Sequence, residues 1–562
     1  MEWMSRLAAA GALAMAVSFA PPAATAAEDP AALRDEAFQA AQWALTTSAS
    51  QALSQMGARF ATGDDALAGL VRARQDLVEA WRARDEQLLG SLGRNDADSQ
   101  AASARLRSEL SAISAEIAGL DAELDAKFPE YAELSNPKPL AIGEVQSLLR
   151  PNEALVVFLV TVGESYVWAI GPEKSAWTRV GIGAADLSDR VRKLRATLDP
   201  TGSTRAAESA FGEEIAEGGI PFDRATAHQL YESYLAPLAG VLDGADSLLV
   251  VADGAFTSLP LSVLVTDVPE GEDADPEALR ATPWLVRRFA LTTLPAVSSL
   301  KALRVFQKHG EGSEPFKGFG SPALVGKAGA GAGEPVAVAS RSANAYFRGR
   351  LADVDAVREL EPLPATADEL RNMAGALGAD PASALFLGEE ATETAVKSAA
   401  LADARVVAFA THGLVTGDLR GLAEPALVFT PPKEATDIDD GLLTASEAAQ
   451  LKLGADWVVL SACNTAAGDG TPGAEGLSGL ARAFLFAGAR AILVSHWPVR
   501  DDAAAALTTG AFARLTEAPE IGRAEALRRA MIAVMENTDD PTLAHPQAWA
   551  PFVVVGEGGA GR

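Results

Sequence analysis

The chain has 562 residues, 48% of them hydrophobic, with a single cysteine and a formal net charge of −28. These values exclude an intramolecular disulfide and global disorder, and they show none of the basic footprint by which a nucleic-acid binder is recognised. The length fits two to four domains.

Residues 1–26 read MEWMSRLAAAGALAMAVSFAPPAATA, with Arg6 in a short leading region, an apolar run from Leu7 to Ala20, and Ala24-Thr25-Ala26 as a small-residue cleavage site. This is the pattern of a secretory signal peptide, and its apolar run is too short for a permanent bilayer span. No later stretch has the length and apolarity of a membrane helix. The expectation is an exported protein, periplasmic or extracellular, with no membrane span after signal cleavage.

Residues 27–135 read as helical. Leu106, Leu110, Ile113, Ile117, Leu120 and Leu124 step by four and three, a heptad seam between polar positions. Leu67, Leu70, Val71, Leu77, Val78, Trp81 and Leu88 suggest an earlier helix of similar kind. The stretch SLGRNDADSQ, Ser91 to Gln100, reads as the loop of a helical hairpin or coiled-coil-like region. Such an arm packs on its own domain or binds a regulatory protein partner. Pro129, Pro137 and Pro139 then break the helical pattern.

From Leu140 the period changes. ALVVFLVTV (Ala154–Val162) and SYVWAIG (Ser165–Gly171) are apolar and rich in β-branched and aromatic residues, and read as paired strands. Helices follow near 185–198 and 225–242. Two further strands lie in SLLVVADGAFTSLPLSVL and RRFALTTLPAVSSLKALR, so 140–310 forms one α/β region. Residues 311–348, with GKAGAGAGEP, read as a Gly/Ala/Ser-rich loop or linker. Over 349–556, strands such as ARVVAFATHG, DWVVLSAC and AILVSHWPV alternate with helical stretches. That alternation implies a mainly parallel α/β sheet sandwiched by helices.

Two strands end alike, one running into His412-Gly413 and the other into Cys463. Ligands of open α/β sheets bind outside the carboxyl ends of the strands. If these strands are neighbours, imidazole and thiol face each other there. A cysteine attacks as thiolate, and a histidine can take its proton and return it to a leaving amine. Gly413, without a side chain, lets its N–H approach a substrate carbonyl, and the Cys463 N–H can join it as an oxyanion hole. The separation, 463 − 412 = 51 positions, is close to the ~50 of caspases, although SACNT is not their cysteine pentapeptide. Spacing alone leaves open both catalysis and a plain buried cysteine.

The residues also carry a resemblance. LPATADEL, VVAFATHGLV, DGLLTASEAAQLKLGADWVVLSACNTAAG, GAEGLSGLARAFLFAGARAILVSHWPV and the earlier DGAFTSLPLSVL resemble the CHAT domain, a caspase-like peptidase family named for its association with tetratricopeptide repeats. The likeness spans roughly 225–556. It implies a caspase- and separase-like fold, with 140–310 as an inactive half and 349–556 as the half with a His412–Cys463 dyad. It further implies peptide-bond hydrolysis through an acyl-enzyme, with no metal and no organic cofactor. By similarity to separases, Asp501 is the candidate that recognises a basic P1 side chain, its alternative being an N-cap of the following helix. Asp469 and Glu475 are further cleft candidates. His496 reads as structural, as do His228, His309 and His545. Two main readings remain open. One is a cysteine endopeptidase acting after Arg or Lys on a protein or peptide substrate. The other is a non-catalytic scaffold using its helical arm. Thiol transpeptidation on the same dyad is a third.

Overall fold

The computed structural model describes residues 30–45, 97–127, 139–199, 221–306, 312–326, 347–348, 351–414, 425–461 and 479–560, apart from 353, 437 and 498, together with positions 70, 73, 77 and 84. Its strands are β1 (Glu153–Val160), β2 (Ser165–Ile170), β3 (Ser175–Val180), β4 (Ser247–Val251), β5 (Ala290–Thr293), β6 (Glu314–Pro322), β7 (Phe347–Arg348), β8 (Leu351–Ala352), β9 (Leu385–Gly388), β10 (Ala404–Ala410), β11 (Gly413–Leu414), β12 (Ala426–Val428), β13 (Leu442–Thr444), β14 (Trp457–Ser461), β15 (Ala491–Ser495) and β16 (Phe552–Gly556).

Eleven of these form one sheet in the order β3-β2-β1-β4-β5-β16-β15-β14-β10-β6-β9. Pairing is parallel from β1 through β4 and β5 to β16, and again from β15 through β14, β10 and β6 to β9. The two groups meet at β15 and β16, which are antiparallel, so the strands of the two groups run in opposite directions. The stretches 140–310 and 349–556 are thus parts of one continuous mixed α/β sheet, mostly parallel and joined through β16. Sequence periodicity does not single out β16, whose short run FVVVG ends the second stretch but lies beside β5 of the first.

Strands buried on both faces need apolar side chains throughout, and β10 supplies them from Val406 to Ala410 and β14 from Trp457 to Leu460. One face packs on the helices Ala184–Leu198, Ala365–Ala376, Asp501–Glu517 and Arg523–Met535, through Leu194, Met373, Phe512 and Met531. The other packs on Pro30–Ala44, Ile142–Leu148 and Gly479–Ala487, through Phe38, Val145 and Phe484. The result is a sheet between two helical layers.

The N-terminal region is helical where described. Ala97–Lys127 is one helix, so its first turn replaces the end of the loop expected at Ser91–Gln100. Arg84, from the earlier helical stretch, donates through Nε to Glu109 Oε2 at 2.9 Å. Residues 1–29, with the expected signal peptide, lie outside the described residues. Among the described residues no helix is long and apolar enough to cross a membrane.

The loop reading of 311–348 is corrected over Glu314–Pro322, which is β6, the neighbour of both β10 and β9. The glycines that make EPFKGFGSP look like a loop are required by packing. A Cβ on Gly320 would lie 2.4 Å from the Ala410 carbonyl oxygen, and one on Gly318 would lie 2.9 Å from the Leu385 side chain. A glycine inside a strand marks such a close approach.

Candidate active site

β10 and β14 are adjacent and parallel, with Ala410 opposite Ser461. His412 follows Ala410 by two residues, and Cys463 follows Ser461 by two. Cys463, Asp469 and Glu475 lie outside the described residues. β15 flanks β14 on its other side, with Leu460 opposite Val494, and continues directly into His496. Three neighbouring strands therefore deliver His412, the segment leading to Cys463, and His496 to one end of the sheet.

The two histidines are held differently. His412 is half-buried, and its Nε2 lies 2.7 Å from the Glu361 carbonyl oxygen. A carbonyl oxygen only accepts, so Nε2 carries the proton and Nδ1 holds the free lone pair. Glu361 is anchored through the preceding residue, whose carbonyl accepts from Gly326 N at 3.1 Å. Thr411 fixes the other side of the turn by donating its hydroxyl to the Val428 carbonyl at 2.5 Å.

His496 is 5% exposed. Burial, with the Arg195 charge adding to it, pushes its pKa down to about 3. Arg195 donates to the His496 carbonyl at 3.1 Å and to the Ser258 carbonyl, tying this strand end to the first half of the chain. A ring held neutral in the fold but protonated when unfolded near pH 6.5 opposes folding in acid. Its destabilisation begins as pH falls below about 6.5, with a limiting slope of about 1.4 kcal/mol per pH unit for this one group. Denaturant titrations from pH 7 to pH 4 should show His496→Leu losing less stability on acidification than wild type. Equal acid slopes in the two proteins would contradict a buried neutral ring.

Gly413 opens β11 and is paired with Leu427. Val428 N–H donates to the His412 carbonyl at 3.0 Å, which makes His412 and Val428 the hydrogen-bonded pair of this antiparallel ladder. Gly413 and Leu427 are then the non-bonded pair, and the Gly413 N–H turns away from β12.

Asp501 is the first residue of the helix Asp501–Glu517, whose cap position is Arg500, so Asp501 is not its N-cap. Nothing further is described of the Asp501 side chain. Asp502 accepts from Ala503 N at 2.9 Å and from Arg500 Nη2 at 2.6 Å. Arg500 also reaches Asp540 at 2.8 Å.

His228 Nδ1 bonds the Val265 carbonyl at 3.0 Å, and His545 caps a short helix by accepting from Gln547 N at 3.2 Å. Both are structural in these contacts, and His309 lies outside the described residues. Among the described residues no group of three or more His, Cys, Asp or Glu side chains is arranged to hold a metal ion.

Periodicity does not point to two further groups. One is the Glu361 carbonyl, which any residue could supply. The other is Glu369, a buried carboxylate that accepts from Ser461 Oγ at 3.1 Å. The available signal for Glu369 is a charged residue among the inward positions Ala367, Leu370, Met373 and Ala374 of its helix.

The chain is 30% identical over 225 residues to tetratricopeptide repeat protein 28 of Mus musculus, and 28% identical over 222 residues to the Homo sapiens protein of that name. Each match covers 35% of this chain and only 9% or 8% of the relative, so the chain spans a small part of those proteins. Among solved structures, two of the Saccharomyces cerevisiae separase–securin complex align with a TM-score of 0.40 each. Identities are 11% and 10%, over 76% and 83% of this chain and 31% and 34% of that one. The family profile described as "CHAT domain" matches residues 224–557, more than half of the chain, and the chain therefore belongs to the CHAT domain family.

Proposed function

We propose that the protein is an exported cysteine endopeptidase in which Cys463 is the nucleophile and His412 the general base and acid. Membership of a caspase-like, protease-related family supports the reaction class. The observation that carries the reading is the register of β10 against β14, together with the His412 tautomer fixed by Glu361. In the reaction, Nδ1 of His412 takes the thiol proton and the thiolate attacks the peptide carbonyl carbon. The oxyanion that forms is met by the N–H groups of Gly413 and Cys463. His412 then protonates the leaving amine as the C–N bond breaks, leaving a thioester on Cys463. Water, deprotonated by His412, hydrolyses that thioester and regenerates the thiol. Asp501 is the proposed partner of an Arg or Lys side chain at P1.

The second reading is a non-catalytic scaffold. It draws on Trp43, 63% exposed on the helix Pro30–Ala44, and Trp177, 44% exposed on the edge strand β3, as surfaces for a protein partner. A thiol-reactive peptidyl probe separates the two. On the purified protein, a probe with Arg at P1 should label wild type rapidly, label neither Cys463→Ala nor His412→Ala, and be outpaced by no Asp-P1 analogue. Labelling no faster than in denatured protein, with the thiol reduced, would leave the scaffold reading standing.

A further inference from the structure

Glu369 lies on the helix Ala365–Ala376, beneath the carboxyl end of β14, and is 6% exposed. Its Oε2 accepts from Ser461 Oγ at 3.1 Å, and its Oε1 lies 3.4 Å from Thr508 Oγ1 on the helix Asp501–Glu517. Thr508 gives its own proton to the Ala504 carbonyl at 2.8 Å, so Ser461 is the stronger of these two contacts. Packing alone does not ask for a carboxylate here. Its neighbours Leu370, Met373 and Ala374 are apolar, and a buried carboxylate is costly unless it is bonded. Ser461 is the last strand residue before Cys463, and eight residues before Glu369 stands Glu361, whose carbonyl orients His412. One short segment, 361–369, therefore holds both strand ends from which the dyad is built.

We propose that Glu369 is a positioning residue for this dyad. Its carboxylate fixes Ser461, the last described residue before Cys463, in register with the histidine that Glu361 orients. This rests on the dyad reading above. It goes further by assigning the alignment to a carboxylate that acts through Ser461.

Cys463 is the only cysteine, so alkylation of the whole chain reports on it alone. The rate of reaction with iodoacetamide, followed by intact mass between pH 5.5 and pH 9, gives the thiol's titration without requiring turnover. In wild type the dyad should hold that titration below the ordinary thiol value of about 8.5. Glu369→Ala and Ser461→Ala should each return it toward 8.5 and lower the alkylation rate at pH 6.5 by at least about tenfold. The double variant should be no worse than the more severe single one, because the Glu369–Ser461 bond is lost in either case. Glu369→Gln keeps an acceptor oxygen for Ser461 and should recover most of the rate. With a peptide substrate the same variants should lower kcat and leave KM unchanged.

Should Glu369→Ala not fold, Ser461→Ala and Glu369→Gln carry the test. A folded Ser461→Ala with the wild-type profile would overturn the proposal, as would a Glu369→Gln no better than alanine. His412→Ala separates the two levels. If it shifts the profile and the Glu369 variants do not, the positioning role fails and the dyad stands. If His412→Ala leaves the profile unchanged, the dyad reading has failed and the positioning role falls with it.

Discussion

Replacing His412 by alanine is expected to lower kcat/KM on an Arg-containing peptide by about 10²–10⁴-fold, the range removed with a general acid–base group. His496→Leu should leave turnover at pH 7 within the scatter of repeat assays. The two histidines stand at the ends of the two strands that flank β14, the strand leading to Cys463, so adjacency does not choose between them. Protonation and access do. The Glu361 carbonyl takes the Nε2 proton of His412 and leaves Nδ1 free to accept. His496 is 5% exposed, and its pKa is depressed to about 3 by burial and by Arg195, so it cannot hold a proton near neutral pH between thiol and leaving amine. Steady-state assays of both variants across pH 5–9 decide the matter. Turnover lost in His496→Leu and kept in His412→Ala would exchange the two roles.

What the sequence makes legible, and what it hides, follows from how far each signal reaches along the chain. The apolar run of β10 and that of β14 are local, so the strands and the residues just past them can be read directly. That the two strands are neighbours is not local, and periodicity gives it only as a condition. Register converts that condition into Ala410 opposite Ser461. His412 in ATHG and His496 in VSHW look alike as residues after apolar runs. They differ because Pro551, Arg195 and the first half of the sheet close over His496, contacts hundreds of positions apart in the case of Arg195. β6 is hidden for the opposite reason. Its glycines imitate a linker, whereas Gly320 is small because the Ala410 backbone passes too close for a side chain. The Glu361 carbonyl leaves no trace in residue type at all. A chemical role can be read from side chains, but the group that orients the base here belongs to the main chain.

The second large effect concerns the joint between the first stretch of the chain, 140–310, and the end of the second, just past β16. Arg304→Leu is expected to destabilise the fold by about 3–5 kcal/mol, the range for removing one partner of a buried ion pair. Arg304 grips Glu153 at the start of β1 through two bonds, of 2.7 and 2.8 Å, and reaches Glu557 just past β16 at 3.3 Å. Arg150 closes the ring at 3.0 Å from Glu153 and 3.2 Å from Glu557. The side chains of Glu153 and Glu557 are only 3% and 4% exposed, so water cannot replace the lost guanidinium. Burial pushes the Glu557 carboxyl up, but Arg304, Arg150, the Gly559 N–H and Arg523 together hold it below the ordinary value. A carboxylate with a depressed pKa contributes stability that is present above its unfolded value and lost as pH falls through its folded one. The gap between wild type and Arg304→Leu should therefore be full at pH 7 and narrow below about pH 4.5, as the Glu557 carboxyl protonates. Urea unfolding of both proteins at pH 7 and pH 4 measures it. A gap under about 1 kcal/mol at pH 7 would place the cluster among exposed ion pairs, which contribute little, and would shift the burden of joining the two stretches to the β5–β16 ladder.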